Sequence, residues 1–402
     1  MFFTLEALRA RHGDCLMLHA GTPDRPELVL IDGGWFKVYR TFLEPRLEEL
    51  RARRAPGGEL EIDLLMVSHI DEDHIQGVLD LTKELRKKKE RGEARPWMIR
   101  EMWHNSFDDI VEEDRAEDVA ATAELEVGVA GLGEGETVPR EILDRHQGAI
   151  VLASVRQGRQ LRLDAEFLTI PLNPTDSGNP LVLEGEEREL DSGVVLRVLG
   201  PSEEQVEELR KEWDEFLVDA GLAQDPVKVA EFVDKSVFNL SSIVVLAEAK
   251  DDDGKLRRML LTGDARGDFL RDAIERAGLF DDDGRFHVDV FKIPHHGSHH
   301  NVELETFRRI TADHYVVSGD GNYGNPELDT FRMILEARGN APYHLHLTYP
   351  VDELEDPKKP FPKDELRELL DDAQAANPDL RIHAIPAGER SLKIDLLDRF
   401  PD

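Results

Sequence analysis

The stretch Ile62-Asp63-Leu64-Leu65-Met66-Val67-Ser68-His69-Ile70-Asp71-Glu72-Asp73-His74 decides how this chain is read. Its apolar half predicts a buried strand, and that strand empties directly into His69, Asp71, Asp73 and His74. A loop at a strand end aims alternate side chains toward one point, as a two-metal site requires. Imidazole with carboxylate suits zinc, and also manganese or iron. The competing reading is a polar loop with incidental His and Asp, since short motifs recur by chance.

Two further strand ends carry compatible chemistry. Arg258 to Leu261 predicts a strand ending in Thr262-Gly263-Asp264-Ala265. An Asp there, beside a Gly that permits close approach, suits a carboxylate bridging two cations. Val288 to Ile293 predicts another, ending in Pro294-His295-His296-Gly297-Ser298-His299-His300. Neutral imidazoles at that end complete a second metal site; otherwise the run is an exposed, loosely metal-binding loop. Three strand-end clusters of matching chemistry point jointly to a metal centre.

Working outward, short apolar runs alternate with amphipathic stretches, the pattern of layered α/β architecture. Glu27 to Ile31, Ile243 to Leu246 and His314 to Val317 predict strands; Val38 to Arg54, Val78 to Arg91 and Glu203 to Leu217 predict helices. In the last helix Val206, Leu209, Trp213, Phe216 and Leu217 share one apolar face, which reads as core packing. The acidic stretch from about 107 to 191 reads as an insertion or helical cap. The segment from about 352 to 402, with its prolines and charged helix, reads as peripheral. Asp251-Asp252-Asp253-Gly254 and Asp281-Asp282-Asp283-Gly284 lack the further ligands of a calcium loop and are expected to be polar turns.

The chain has 402 residues, 84 acidic against 50 basic side chains, and a formal net charge of −34. Such a surface weighs against broad, non-specific nucleic-acid binding, while bound cations can still reverse the field locally. The basic run Arg86-Lys87-Lys88-Lys89-Glu90-Arg91 has no interleaved aromatics and reads as the end of a solvated helix. A single cysteine, Cys15, excludes an intrachain disulfide framework and is expected to be a buried strand residue. Neither a secretory signal nor a run of transmembrane length is legible, so a cytoplasmic location is the expectation.

The order of these motifs resembles the metallo-β-lactamase superfamily, whose hallmark is His-x-His-x-Asp-His. It is most similar to the branch of the nuclease-like domain of DNA-uptake competence proteins. That branch carries His-x-Asp-x-Asp-His, Leu-Leu-x-Gly-Asp-Ala and Pro-His-His-Gly-Ser, matched here at His69–His74, Leu260–Ala265 and Pro294–Ser298. Gly13-Asp14, Ile31-Asp32-Gly33-Gly34 and Asn239 to Ile243 add to the likeness, which spans about residues 10 to 330. The resemblance implies an α/β fold: one domain built as a four-layer αββα sandwich with a helical insertion.

It also implies one or two divalent ions, zinc or manganese, held by His69, Asp71, Asp73, His74, Asp264, His295 and His296. Relatives often use a further His between hallmark and bridging Asp. His104, after the strand-like Met98 to Trp103, is the candidate, with a structural His as the alternative; His146 reads as a surface helical residue. Two departures stand out. Asp71 replaces an imidazole and favours a harder ion such as manganese. Tyr323-Gly324-Asn325-Pro326 stands where many relatives have Gly-His-Pro, so one metal is expected to be lost, loosely held, or served by His295 or His296.

The implied reaction is hydrolysis by a metal-bound hydroxide, with Asp73 or Asp264 orienting the water. His295, His296 or Lys292 would stabilise developing charge; Lys292 would bind an anionic leaving group or else snorkel to the surface. A small or locally engaged phosphodiester, nucleotide or nucleic acid, is the first substrate class. A carboxylic ester, thioester or lactone is the alternative, and a binding or regulatory module with a degenerate site is a third reading.

Overall fold

The computed structural model describes residues 1–111, 147–219 and 241–401. The chain opens with three antiparallel strands, β1 (Phe2–Leu8), β2 (Leu16–Thr22) and β3 (Arg25–Ile31). A π-helical turn, Tyr39–Leu43, leads into α1 (Glu44–Arg54). The apolar run expected as one strand is two, β4 (Leu60–Ile62) and β5 (Leu64–Val67). Asp63 makes the break: its carboxylate accepts the Leu28 amide at 2.8 Å, and its own amide donates to the Leu28 carbonyl.

Helix α2 (Glu72–Glu90) follows, then β6 (Trp97–Ile99), β7 (Met102–His104), α3 (Phe107–Val111) and α4 (Gln147–Leu168). Next come β8 (Glu187–Glu189), β9 (Val195–Gly200), α5 (Glu203–Asp219), β10 (Val244–Lys250), β11 (Leu256–Leu261) and α6 (Gly267–Arg276). The remainder is β12 (Phe286–Lys292), α7 (Leu304–Arg309), β13 (Ile310–Val317), α8 (Leu328–Arg338), β14 (Tyr343–Leu347), α9 (Lys363–Ala376), β15 (Leu380–Ala384) and β16 (Ser391–Asp395).

The protein is a mixed α/β structure. Six strands form one sheet in the order β16-β1-β2-β3-β5-β7, and eight form another, β15-β14-β13-β12-β11-β10-β9-β8; β4 and β6 pair separately. Period-two alternation splits each strand's side chains between two faces. Leu5, Leu18, Val29 and Met66 from the six-stranded sheet meet Leu196, Val245, Met259 and Val290 from the eight-stranded one in a shared core. The opposite face of the first sheet packs on Leu47, Ile75, Val78, Leu81 and Leu161 of α1, α2 and α4. That of the second packs on Leu270, Ile274, Phe307, Phe331 and Leu366 of α6 to α9. Each fully buried Leu or Phe there contributes about 1.5–3 kcal/mol.

Two expectations about organisation change. Within the stretch read as an insertion, α4 supplies Leu161, Ala165 and Leu168 to a main core, and β8 is an edge strand of the larger sheet. Residues 112–146 of it, with His146, lie outside the described residues, as do Phe238 to Leu240 and the side chains of Trp213, Phe216 and Leu217. The C-terminal segment is not merely peripheral: β15 and β16 are edge strands of the two different sheets. Their short, half-polar sequences hid this, because edge strands carry polar residues on their open sides.

The acidic turns are polar turns as expected. Asp251 accepts the amides of Asp253 and Lys255, and Asp281 those of Asp283 and Arg285. Cys15 is fully buried. Among the described residues no helix is long and apolar enough to cross a membrane.

Candidate metal centre

The ends of β5, β11 and β12 come together. Ser68 to Asp71 leave β5, and α2 begins at Glu72 with Asp71 in the N-cap position. An N-cap Asp normally accepts a backbone amide of the first turn. Asp71 makes no such bond, and its carboxylate lies 3.5 Å from His69 Nε2 instead. Beyond β12, His295 and His296 hold left-handed conformations with φ of 47° and 54°. Such conformations cost of order 1–3 kcal/mol each and persist only where surrounding structure enforces them. Here they turn both imidazoles toward Asp264.

Asp264 lies at the middle, 3 % exposed. Around its Oδ1 stand His74 Nε2 at 3.3 Å and His296 Nε2 at 3.5 Å; around Oδ2 stand His69 Nε2 at 3.6 Å and His295 Nε2 at 3.7 Å. Asp73 joins the first set, 3.4 Å from His296 Nε2 and 3.9 Å from His74 Nε2. The donors therefore sort into two adjoining groups, Asp73-His74-Asp264-His296 and His69-Asp71-Asp264-His295, sharing one carboxylate.

Outer partners fix the rings. His74 Nδ1 meets Asp32 Oδ2 at 2.8 Å, and Asp32 also accepts the Ser68 amide and hydroxyl, each at 2.7 Å. His296 Nδ1 faces Ser318 Oγ at 3.2 Å and Asp14 Oδ1 at 3.5 Å. Asp14 also accepts from Ser318, and its Oδ2 is 2.7 Å from Lys292 Nζ. Carboxylates behind metal-facing imidazoles set ring orientation and raise ligand basicity. Asp14 thus stands beside His296, with one carboxylate oxygen within 4.8 Å of donor atoms of His74, Asp264 and His296.

Burial alone would raise the Asp264 pKa, but His295, His296, His74 and His69 together hold it well below the ordinary range. Burial likewise opposes charge on His74, yet Asp264, Asp32 and Asp73 drive its pKa well above normal. His296 rises to about 9 against its burial, through Asp264 and Asp14. Asp73 is held low against burial by His74 and His296. Protons on His74 and His296 thus balance the carboxylates, and divalent ions would displace them. Asp264 Oδ1 is a buried oxygen with no hydrogen-bond partner within the described residues. That orphan acceptor, four converging imidazole nitrogens and three carboxylates fit one or two divalent ions.

Close backbone approach makes the geometry possible. A Cβ on Gly13 would lie 1.8 Å from the Asp73 carbonyl oxygen. One on Gly263, itself at φ 50°, would lie 2.9 Å from Ser68 Cβ. The β1–β2 turn and the β11 end therefore press directly on the segment from Ser68 to Asp73.

His69, Asp71, Asp73, His74, Asp264, His295 and His296 are brought together as expected. His104 is not. It ends β7 fully buried, with Nε2 3.3 Å from the Gly158 carbonyl, outside both groups. A strand end alone does not say which way its last side chain points. Lys292 meets neither expectation: it is fully buried and ion-paired to Asp14, and its ammonium donates to the Ile293 carbonyl at 2.8 Å. Its register opposite Val316 puts it on the inter-sheet face. His299 and His300 stay apart from the centre, His299 paired with Glu327. Asn325 lies in the loop whose Pro326 packs on Gly297, and His295 supplies the imidazole that completes the second group.

Sequence reasoning gave Asp14 and Asp32 no role in the site. Each follows or precedes a glycine at a strand end, the same local signal that marked Asp264. No family model matches the chain, and a search of curated proteins found no match either.

Proposed function

We propose that the chain is a metal-dependent hydrolase of the metallo-β-lactamase fold type, acting on a phosphodiester. The observation that carries this is the pair of donor groups joined by the two oxygens of Asp264. Three apolar cores, with helices outside two facing sheets, support the four-layer αββα reading. Ions held there would supply an activated water and polarise the electrophilic oxygen, so no side-chain nucleophile is required.

The protein's own residues have distinct roles in this reading. Asp264 bridges the two groups. Asp73, 19 % exposed, is the open carboxylate of the first group and orients the attacking water. His295, 35 % exposed, is the open imidazole of the second and faces developing negative charge. Lys292 acts at one remove, fixing Asp14 and through it His296.

The rim supports a substrate with a planar ring. His12 adjoins Gly13 and packs on Trp35 at 4.5 Å and on Tyr323 at 5.3 Å. Phe36 and Tyr323 are 44 % and 56 % exposed. Arg11 lies 5.5 Å over Trp35, and Lys358 4.9 Å over Tyr323. Exposed aromatics beside cations favour a base and its phosphate over a bare ester. The net charge of −34 favours a nucleotide or a short single strand over long duplex.

The test is metal content measured alongside turnover of bis-p-nitrophenyl phosphate and of dinucleotides. One or two ions per chain are expected, with activity lost on chelation and restored by zinc or manganese. Stoichiometric metal with activity only on esters or lactones would reject the phosphodiester reading. Absence of stoichiometric metal would reject the enzyme.

A further inference from the structure

A second cluster of histidines lies far along the larger sheet. His314 is on β13, His344 and His346 on β14, and His383 on β15. Parallel pairing sets His314 opposite His344, and His346 opposite His383. All four share the face that carries Val290 and Val316 into the inter-sheet core, since Val290 pairs with His314 and Val316 with His346. Among the described residues, however, no side chain of β14 or β15 belongs to that core. The imidazoles occupy the strip where the inter-sheet packing ends: His346 is 6 % exposed, His314 and His344 are half-buried, and His383 is exposed.

The rings form a two-by-two array. His314 stacks on His344 with centroids 4.6 Å apart, and His346 on His383 at 4.7 Å. Along the diagonals, His314 Nδ1 meets His346 Nε2 at 2.9 Å and His344 Nδ1 meets His383 Nε2 at 2.9 Å. The second diagonal pair is nearly coplanar, at 8°. Its nitrogens therefore meet edge to edge, one ring donating its N–H to the lone pair of the other.

We propose that His314, His344, His346 and His383 form a binding site for a borderline divalent transition ion, such as zinc, nickel or copper, separate from the Asp264 centre. One nitrogen from each of His314, His344 and His346 lies within 4.8 Å of the others. Two nitrogens on a tetrahedral ion with bonds of about 2.0–2.1 Å stand roughly 3.3–3.4 Å apart, so the 2.9 Å pairs need only a small ring rotation to admit one. The donor set is all imidazole, which selects these ions over calcium or magnesium. Burial and mutual repulsion also keep the rings neutral, His314 down to about 4 and His346 to about 2, so at neutral pH an ion needs a tautomer shift at the hydrogen-bonded nitrogens rather than loss of a second ring proton.

The test is copper(II) titration of the full chain, read by electron paramagnetic resonance and by equivalents bound. In Asp264→Ala, which removes the shared carboxylate of the first centre, one equivalent is expected to remain, with hyperfine splitting from three or four nitrogens. Since losing an outer partner already weakens metal sites by 10–100-fold, adding His314→Ala with His344→Ala should weaken this equivalent by about 100-fold or more. His287→Ala, at an exposed histidine on β12, should leave it unchanged. If Asp264→Ala does not fold, the wild type is compared with His314→Ala/His344→Ala alone. The double variant should then lose one equivalent while keeping its phosphodiesterase rate. No residual equivalent, or one indifferent to His314 and His344, overturns the proposal.

Discussion

The protein holds two clusters of four histidines each, and they hold their protons in opposite ways. At the Asp264 centre, carboxylates surround His74 and His296 and drive both toward protonation, His296 to about 9. In the β13–β15 array burial and the neighbouring rings push His346 to about 2, and on His314 they outweigh Asp313 and Asp289 and push it to about 4. Partners, rather than the side chain itself, decide whether a buried histidine is an ammonium-like cation or a neutral ligand. In the first cluster a metal ion would compete with protons and gain affinity as pH rises; in the second it would not over the neutral range.

The largest effect is expected from Asp264→Ala. With the shared oxygens gone, both ion positions in the first cluster are expected to empty and phosphodiester turnover to fall to background. Metal analysis with kinetics checks this; retained turnover would show the centre is misplaced. Next in size is Lys292→Met. Removing one member of a buried ion pair is strongly destabilising, by about 3–5 kcal/mol, because Asp14 keeps its charge with only Ser318 and His296 left beside it. Urea denaturation should show that loss, and an effect under 1 kcal/mol would mean water reaches Asp14.

Asp32→Asn is milder. It leaves His74 in place but takes away the charge on its Nδ1 side, so affinity for the first ion should drop about 10–100-fold. Competition with a chromophoric chelator measures it. The smallest effect concerns the array. Its histidines have depressed values when folded and about 6.5 when unfolded. Their contribution is full above pH 6.5 and is lost as pH falls toward 4, where the unfolded chain binds the extra protons. Melting temperatures of the wild type should therefore fall more steeply between pH 6.5 and 4 than those of His314→Phe/His346→Leu. Parallel slopes would show that the array protonates without penalty.

The first cluster was legible because its ligands sit in three short runs, each at the end of an apolar strand. Local pattern alone located His69 to His74, Asp264 and His295–His296. The array was not legible. Only His344-x-His346 shows that two rings share a face; that His314 and His383 join them depends on β13, β14 and β15 being neighbours, which no local signal records. Misplaced residues failed for the same reason. His104 and Lys292 occupy strand ends that look like the metal-bearing ones, but each faces the interior. The C-terminal strands were hidden by polar edges, and Asp63 cut a continuous apolar run through a single carboxylate-to-amide bond.

The close contacts at Gly13 and Gly263 have an evolutionary meaning. At Gly13 even a methyl group would collide with the backbone of Asp73, and Gly263 combines a left-handed φ with Ser68 close by. Neither residue has a side chain to offer an ion. Yet a mutational library selected for metal retention should be as intolerant there as at the ligands themselves. Sequence drift would be free to alter the rim and the outer helices, and with them the substrate range, long before it altered these two silent positions.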